Sequence, residues 1–281
     1  MTTTDVPTHT LNDGTTLPAV GFGTYPLRGD EAVRGVRSAL EVGYRLIDTA
    51  VNYENEEAVG EALRTSGLDR EAYQVTSKIP GRHHAYDDAV ASVEGSLRRL
   101  GLDHLDLQLI HWPNPGRDQY VEAWRALVDL RERGLVRSIG VSNFTEQHVE
   151  RIVDATGVAP SVNQVELHPY FPQEALRRAH ERWGVLTEAW SPLARVGDLA
   201  DEPAVIGPAE RLGVDPAAVV LRWHVQIGSL PIPKSASPER QRSNLDVLAF
   251  TLSDEEVAAL TALGRPDGRI FDADPETHEE L

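Results

Sequence analysis

The sequence holds no cysteine in 281 residues. That excludes a disulfide scaffold, a thiol nucleophile and a thiolate metal site. Lysine is nearly as scarce: of 27 basic residues, 25 are arginine, and only Lys78 and Lys234 are lysine. In so arginine-rich a chain, a lysine points to a place where a compact ammonium of adjustable pKa does what a guanidinium cannot. Basic residues are outnumbered by 44 acidic ones, leaving a formal net charge of -17. A field of that sign repels nucleic acid and anionic lipid, so neither is expected as a partner. No run approaches the ~20 apolar residues that span a bilayer. The opening MTTTDVPTHT lacks the basic start and apolar stretch of a secretory signal, so a cytoplasmic protein is expected.

What is present is a repeated alternation. Asn12-Asp13-Gly14 between short extended runs predicts a hairpin, followed by a strand at 18–21. A periodic helix at 30–42 stops at Gly43, and the short buried strand Arg45-Leu46-Ile47-Asp48 follows. Strands are then expected at 73–79, 105–111, 136–142, 161–165, 185–190 and 229–232. Helices are expected at 55–66, 85–100, 120–133, 145–156, 172–183, 203–212, 215–226 and 253–263. Strands separated by helices pair in parallel through right-handed crossovers. About eight such units suit a closed (β/α)8 TIM barrel, here with an N-terminal β-hairpin and auxiliary helices. Gly21-Phe22-Gly23 does not begin the glycine fingerprint of a doubly wound dinucleotide fold. The expected organisation is a single domain over 1–281, with a hairpin-bearing segment at 1–17 and a tail at 265–281.

Barrels of this kind carry their chemistry at the C-terminal ends of the strands. There the sequence places Asp48, Lys78, His111, Ser142-Asn143, Gln164, Glu166, Trp190-Ser191 and Lys234-Ser235. Tyr53 follows Asp48 by five residues, close enough to fold back over the mouth. A phenol is a weak acid at neutral pH, and a neighbouring ammonium lowers its pKa. Asp48 would keep Lys78 charged and oriented, and His111 would share a hydrogen bond with the same substrate oxygen, making a proton-transfer site. Each residue also has a structural reading: Asp48 as a loop cap, Tyr53 as a packed aromatic, Lys78 as a snorkelling strand end, His111 as part of a turn. Three successive strands delivering Asp, Lys and His to one rim favour the site. No metal site is expected, because there is no HExxH and Lys78 would repel a cation. Two rivals stay open: an aldolase or isomerase with Lys78 as a Schiff base, and a nucleotide-binding regulatory barrel without turnover.

A second feature is the basic stretch Lys234-Ser235-Ala236-Ser237-Pro238-Glu239-Arg240-Gln241-Arg242. Ser237 and Pro238 predict a capped helix start. A helix N-terminus with Lys and Arg beside it binds anions, which points to a phosphate-bearing ligand.

Three stretches together resemble the aldo-keto reductase family, in particular its bacterial 2,5-diketo-gluconate reductases. They are Gly43-Tyr44-Arg45-Leu46-Ile47-Asp48-Thr49-Ala50 running on to Tyr53, Gly134 to Phe144, and Ile232-Pro233-Lys234-Ser235 with Arg240 and Asn244. The resemblance spans roughly residues 10 to 271. It implies reduction of a carbonyl, with Tyr53 as proton donor, Lys78 and Asp48 as its activating pair, His111 as the orienting group and NADPH as the hydride source. It also implies that Ser142, Asn143 and Gln164 bond the nicotinamide carboxamide, Trp190 stacks on its ring, and Ser191 and Leu193 meet the pyrophosphate. Lys234, Ser235 and Arg240 would hold the 2′-phosphate and Asn244 the adenine, although Ser243 departs from the acid common beside that asparagine. Several cations at one ribose also favour NADPH over NADH physically, since a dianion neutralises them.

For the substrate, Phe22, Tyr25, Val51 and Trp112 are the expected pocket walls, with Ala50, Ile79 and the stretch 269–271 as further candidates. The short loop at 114–119 and the short tail predict an open, permissive pocket. Small aldehydes, α-dicarbonyls and keto-sugar acids are the favoured substrates, with Arg28 or Arg269 to meet a carboxylate. The resemblance implies a monomer.

Overall fold

Strands and helices alternate in the computed structural model, which describes residues 7–194, 199–271 and 273–280. The first six residues of the expected N-terminal segment, and Asp272 and Leu281 of the tail, lie outside the described residues. The chain opens with a hairpin, β1 (Thr8–Thr10) paired antiparallel with β2 (Thr16–Pro18). Eight parallel strands follow: β3 (Phe22–Gly23), β4 (Leu46–Asp48), β5 (Gln74–Ile79), β6 (Leu105–Ile110), β7 (Val136–Ser142), β8 (Val162–Glu166), β9 (Leu186–Trp190) and β10 (Leu230–Pro231). They are hydrogen-bonded in chain order from β3 to β10. The ends meet as well: the backbone N–H of Gly21 donates to Pro231 O at 3.0 Å and that of Gly23 to Pro233 O at 3.1 Å. The sheet therefore closes into a barrel. One strand is displaced from expectation, lying at β3 rather than at 18–21, because Ala19 and Val20 form the bend that carries the chain from the hairpin to the wall.

The helices between strands are α1 (Gly29–Val42), α2 (Glu56–Arg64), α3 (Tyr86–Leu100), α4 (Tyr120–Glu132), α5 (Glu146–Thr156) and α6 (Glu174–Trp183). After β9 come α7 (Pro203–Leu212) and α8 (Pro216–Gln226), and after β10 come α9 (Pro238–Leu245) and α10 (Asp254–Thr261). Their starts follow local chemistry. Thr145 and Ser253 form capping boxes on α5 and α10, and Asp215 and Ser237 cap helices that open with proline.

Among the described residues the buried apolar side chains form three clusters. Between strands and helices, a large cluster includes Val36, Ile47, Val75, Val93, Trp124 and Ile139. Inside the barrel, Leu46, Leu107, Leu109, Val162 and Leu230 pack against Leu11 and Leu17 of the hairpin. The hairpin is thus a plug for the bottom of the barrel. Its turn is pinned there by Asp13, which accepts from Ser138 Oγ at 2.7 Å and Ser161 Oγ at 2.9 Å. With the bottom filled, the mouth at the other end is left for chemistry.

Candidate active site

The four residues singled out for proton transfer meet at the barrel mouth. Asp48 is the last residue of β4, and Lys78 lies near the end of β5, fully buried. The Lys78 ammonium donates to Asp48 Oδ1 at 2.6 Å, Asp48 Oδ2 at 2.8 Å and Thr49 O at 2.9 Å. It lies 3.3 Å from the Tyr53 hydroxyl. Tyr53 is brought back over the mouth by a single 3-10 turn at Val51–Tyr53, entered from an extended Ala50. Asn55 anchors that loop, accepting from Thr49 Oγ1 at 2.6 Å and donating to Leu27 O at 2.9 Å. His111 follows the end of β6, its ring 5.7 Å from that of Tyr53, edge to face.

Electrostatics correct one expectation. Burial is the largest single influence and lowers the Lys78 pKa, but the charge and hydrogen bond of Asp48, with Tyr53 and Glu188, together outweigh it and hold the ammonium above its ordinary range. For Tyr53, burial is the largest influence and raises the phenol; Lys78 pulls it down but does not prevail. The net result is a phenol pushed up to about 12 rather than lowered. The ammonium therefore does not pre-ionise Tyr53.

A cavity of about 680 Å³ opens over this floor. Of the expected cofactor residues, Ser142, Asn143, Gln164, Trp190, Ser191, Leu193 and Lys234 line it. Asn143 and Ser191 end their strands in left-handed backbone, φ 61° and 48°, which turns the chain sharply at the rim. Trp190 is fixed by its indole N–H, which donates to Asn143 Oδ1 at 2.8 Å. Ser235, Arg240 and Asn244 lie outside the cavity lining. Arg240 is exposed on α9, and Asn244 is buried on it beside Tyr44. The Ser235 hydroxyl is engaged in a local turn with Ser237. Lys234, Arg240 and Arg242 are exposed, and among the described residues none has an ion-pair partner in a chain with 44 acids. Three unmatched cations beside a capped helix start fit a phosphate dianion.

Residues 19–203 and 207–265 match the Aldo/keto reductase family. The chain belongs to this family. It is 57% identical over 277 residues to 2,5-diketo-D-gluconic acid reductase B of Corynebacterium sp., with 99% of each chain covered. A crystal structure of a Gox0644 mutant in complex with NADPH superposes with a TM-score of 0.93 at 44% identity, covering 97% of this chain and 98% of that one. An aldo-keto reductase from Bombyx mori in complex with NADP gives 0.88 at 35% identity, with 95% of each covered.

The substrate side of this aldo/keto reductase departs from the sequence reading in two ways. Tyr25 and Trp112 line the cavity as expected, but Phe22 does not. Its side chain points out of the barrel and is fully buried against Tyr44, ring centroids 5.4 Å apart. Val51 sits half-buried in the 3-10 turn, outside the lining. Phe271, from the candidate stretch 269–271, lines the cavity, and the tail beyond it, expected to leave the mouth open, adds Ala273 and His278 to the wall, the His278 ring 4.3 Å from Trp112. Glu280 fastens the tail. It accepts from Asn52 Nδ2 at 2.6 Å and from the Gly81 N–H at 3.1 Å, and its Oε1 lies 2.7 Å from His111 Nδ1. Gly81 is required there, since a Cβ would fall 2.5 Å from Glu280 O.

Two functional neighbours escaped the sequence reading. Glu280 left no signal, because an aperiodic acidic tail gives no direction to its side chains. Glu188 did leave one. It stands two residues before Trp190 on the same strand, so alternation turns both toward the same face.

Proposed function

We propose that this aldo/keto reductase reduces aldehydes and ketones to alcohols, with NADPH as its cofactor and Tyr53 as the proton donor. The observation that carries the reading is the buried line Asp48–Lys78–Tyr53 on the floor of a cavity walled by Trp190, Trp112 and Tyr25. When bound, NADPH supplies a hydride to the carbonyl carbon. Tyr53 keeps its proton at neutral pH and gives it to the carbonyl oxygen as negative charge builds there. The Lys78 ammonium, 3.3 Å away, then stabilises the tyrosinate left behind. Asp48 keeps that ammonium charged and aimed. His111 orients the oxygen from the other side of the mouth.

The chain's own donor set supports NADPH. Lys234, Ser235 and Arg240 would hold the 2′-phosphate, Ser191 and Leu193 the pyrophosphate, and Trp190 would stack on the nicotinamide. Ser142, Asn143 and Gln164 would bond the carboxamide, and Asn244 would contact the adenine.

Keto-sugar acids and α-dicarbonyls are the favoured substrates. Of the two arginines considered for a carboxylate, Arg28 is matched by Glu54 at 2.9 Å. Arg269 has no ion-pair partner among the described residues and lines an adjoining recess of about 280 Å³ that shares Trp112 and Trp190 with the main cavity. That recess is also lined by Glu146, Glu166 and Asp274, so a substrate carboxylate would reach Arg269 only against three carboxyl groups. The Schiff-base alternative fails on charge: it needs a neutral Lys78, and Asp48 holds it protonated. We also read the protein as one domain acting as a cytoplasmic monomer; among the described residues no helix is long and apolar enough to cross a membrane.

The test is NADPH oxidation with a panel of simple aldehydes, α-dicarbonyls and keto-sugar acids, after titration of tryptophan fluorescence with NADPH and NADH. Binding of NADPH with turnover of at least one carbonyl class supports the reading. Failure to bind either cofactor overturns it.

A further inference from the structure

Beneath the proton-transfer residues lies a carboxyl group that the reaction leaves unused. Glu188 is on β9 and fully buried. Its register partner on β8 is Gln164, so the two side chains project side by side into the barrel. The Gln164 side-chain nitrogen donates to Glu188 Oε2 at 3.0 Å and to Asp48 Oδ2 at 2.9 Å. Both of its hydrogens are thereby used. The other oxygen of Glu188, Oε1, has no hydrogen-bond partner. Nor does Glu188 own a cation: the Lys78 ammonium is shared among Asp48, Thr49 and Tyr53. A buried carboxyl with one bond and no ion pair is costly. Its one bond goes to Gln164.

That bond and the one to Asp48 together decide which way the Gln164 amide faces. Turning the amide over would set its carbonyl oxygen against the Asp48 carboxylate and leave its nitrogen without either acceptor. With the nitrogen held below, the carbonyl oxygen is the polar atom left for the cavity that Gln164 lines. We propose that Glu188 is a positioning residue: with Asp48 it clamps the Gln164 amide so that a carbonyl oxygen, and not an NH2 group, meets the nicotinamide carboxamide. An acceptor there would pair with the NH2 half of the carboxamide. The inference rests on the NADPH reading above.

Calorimetric binding of three ligands separates this role from a merely structural one. They are NADPH, NADP+ and adenosine 2′,5′-bisphosphate, which carries the phosphate-bearing end without nicotinamide. Glu188→Leu removes the acceptor and should weaken both nicotinamide ligands about fivefold to tenfold, the worth of one buried hydrogen bond. The bisphosphate should bind as in wild type. Glu188→Gln retains an acceptor oxygen and should restore NADPH affinity to within about twofold. Gln164→Leu should lose the same factor, and adding Glu188→Leu to it should cost no more. Should Glu188→Leu fail to fold, Glu188→Thr, too short to reach Gln164, serves the same comparison. Unchanged NADPH affinity in the Leu or Thr variant overturns the proposal. So does an equal loss for the bisphosphate, which marks Glu188 as a fold residue, or failure of Glu188→Gln to rescue. Wild-type protein that takes the bisphosphate but not NADPH would instead sink the reductase reading on which the proposal stands.

Discussion

Glu280 Oε1 lies 2.7 Å from His111 Nδ1, so the acidic tail folds back onto a histidine at the barrel mouth. The contact hides one ring nitrogen and leaves the other for the substrate side. Burial would raise the Glu280 carboxyl, but His111, the Gly81 N–H and Asn52 outweigh it and hold it below the usual glutamate range. Glu280→Ala should lower kcat/KM about tenfold, the scale of one charge-assisted hydrogen bond, through mispositioning of His111. NADPH affinity should stay within about twofold, because none of the expected cofactor residues touches Glu280. The sign of the pH effect follows from the depressed carboxyl. Docking is fully present above the ordinary glutamate range and is lost as pH falls through the lower folded value. Hydrogen exchange across the 273–280 segment should therefore rise on acidification, and a pH-independent pattern would count against the latch.

Removing the Tyr53 hydroxyl tests the proton donor directly. Tyr53→Phe should cut carbonyl reduction by about 10²–10⁴-fold, the usual contribution of a positioned acid. NADPH quenching of tryptophan fluorescence should survive. Because burial keeps the phenol up at about 12, wild-type reduction should show no fall from Tyr53 ionisation through mildly alkaline pH. Loss of cofactor binding together with activity would mark Tyr53 as structural.

The unmatched cations predict cofactor choice. Arg240→Ala should weaken NADPH about tenfold, as expected for one charge-assisted bond to phosphate, and leave NADH nearly unchanged. Its exposure makes the effect salt-dependent, smaller at high ionic strength. Parallel losses for the two cofactors would move the 2′-phosphate elsewhere.

Glu188 should also leave a mark on stability. Burial, and then the nearby Asp48 carboxylate, push its carboxyl up to about 8, against smaller opposing effects of Gln164 and Lys78. The folded state thus holds a proton that the unfolded chain releases from the ordinary glutamate range upward. The stability this proton provides is present below that range and is lost as pH rises through about 8. Relative to Glu188→Gln, wild-type Tm should fall between pH 5 and 8, measured by scanning calorimetry. Parallel curves would show that Glu188 does not titrate there.

Much of this was legible before any coordinates. Hydrophobic period and capping residues are local, so the strand–helix alternation and nearly every element stood within a few residues of where the sequence placed them. Chain order then put Asp48, Lys78 and His111 on consecutive strand ends, and barrel geometry brings consecutive strand ends to one rim. The basic stretch at 234–242 was equally plain, because its charge contrasts with an acidic chain.

Only tertiary structure decided the rest. Phe22 has the composition of a pocket wall, but the bend at 19–20 sets the register of a two-residue strand, and register turned its ring outward onto Tyr44. The direction of the Tyr53 shift depended on how far burial outweighs an ammonium, a balance of distances that no motif encodes. Glu188 and Glu280 reach their partners across separations of 24 and 169 residues, respectively to Gln164 and His111. Local periodicity says which face a side chain takes; what stands opposite that face is settled only when the barrel closes and the tail folds back across it.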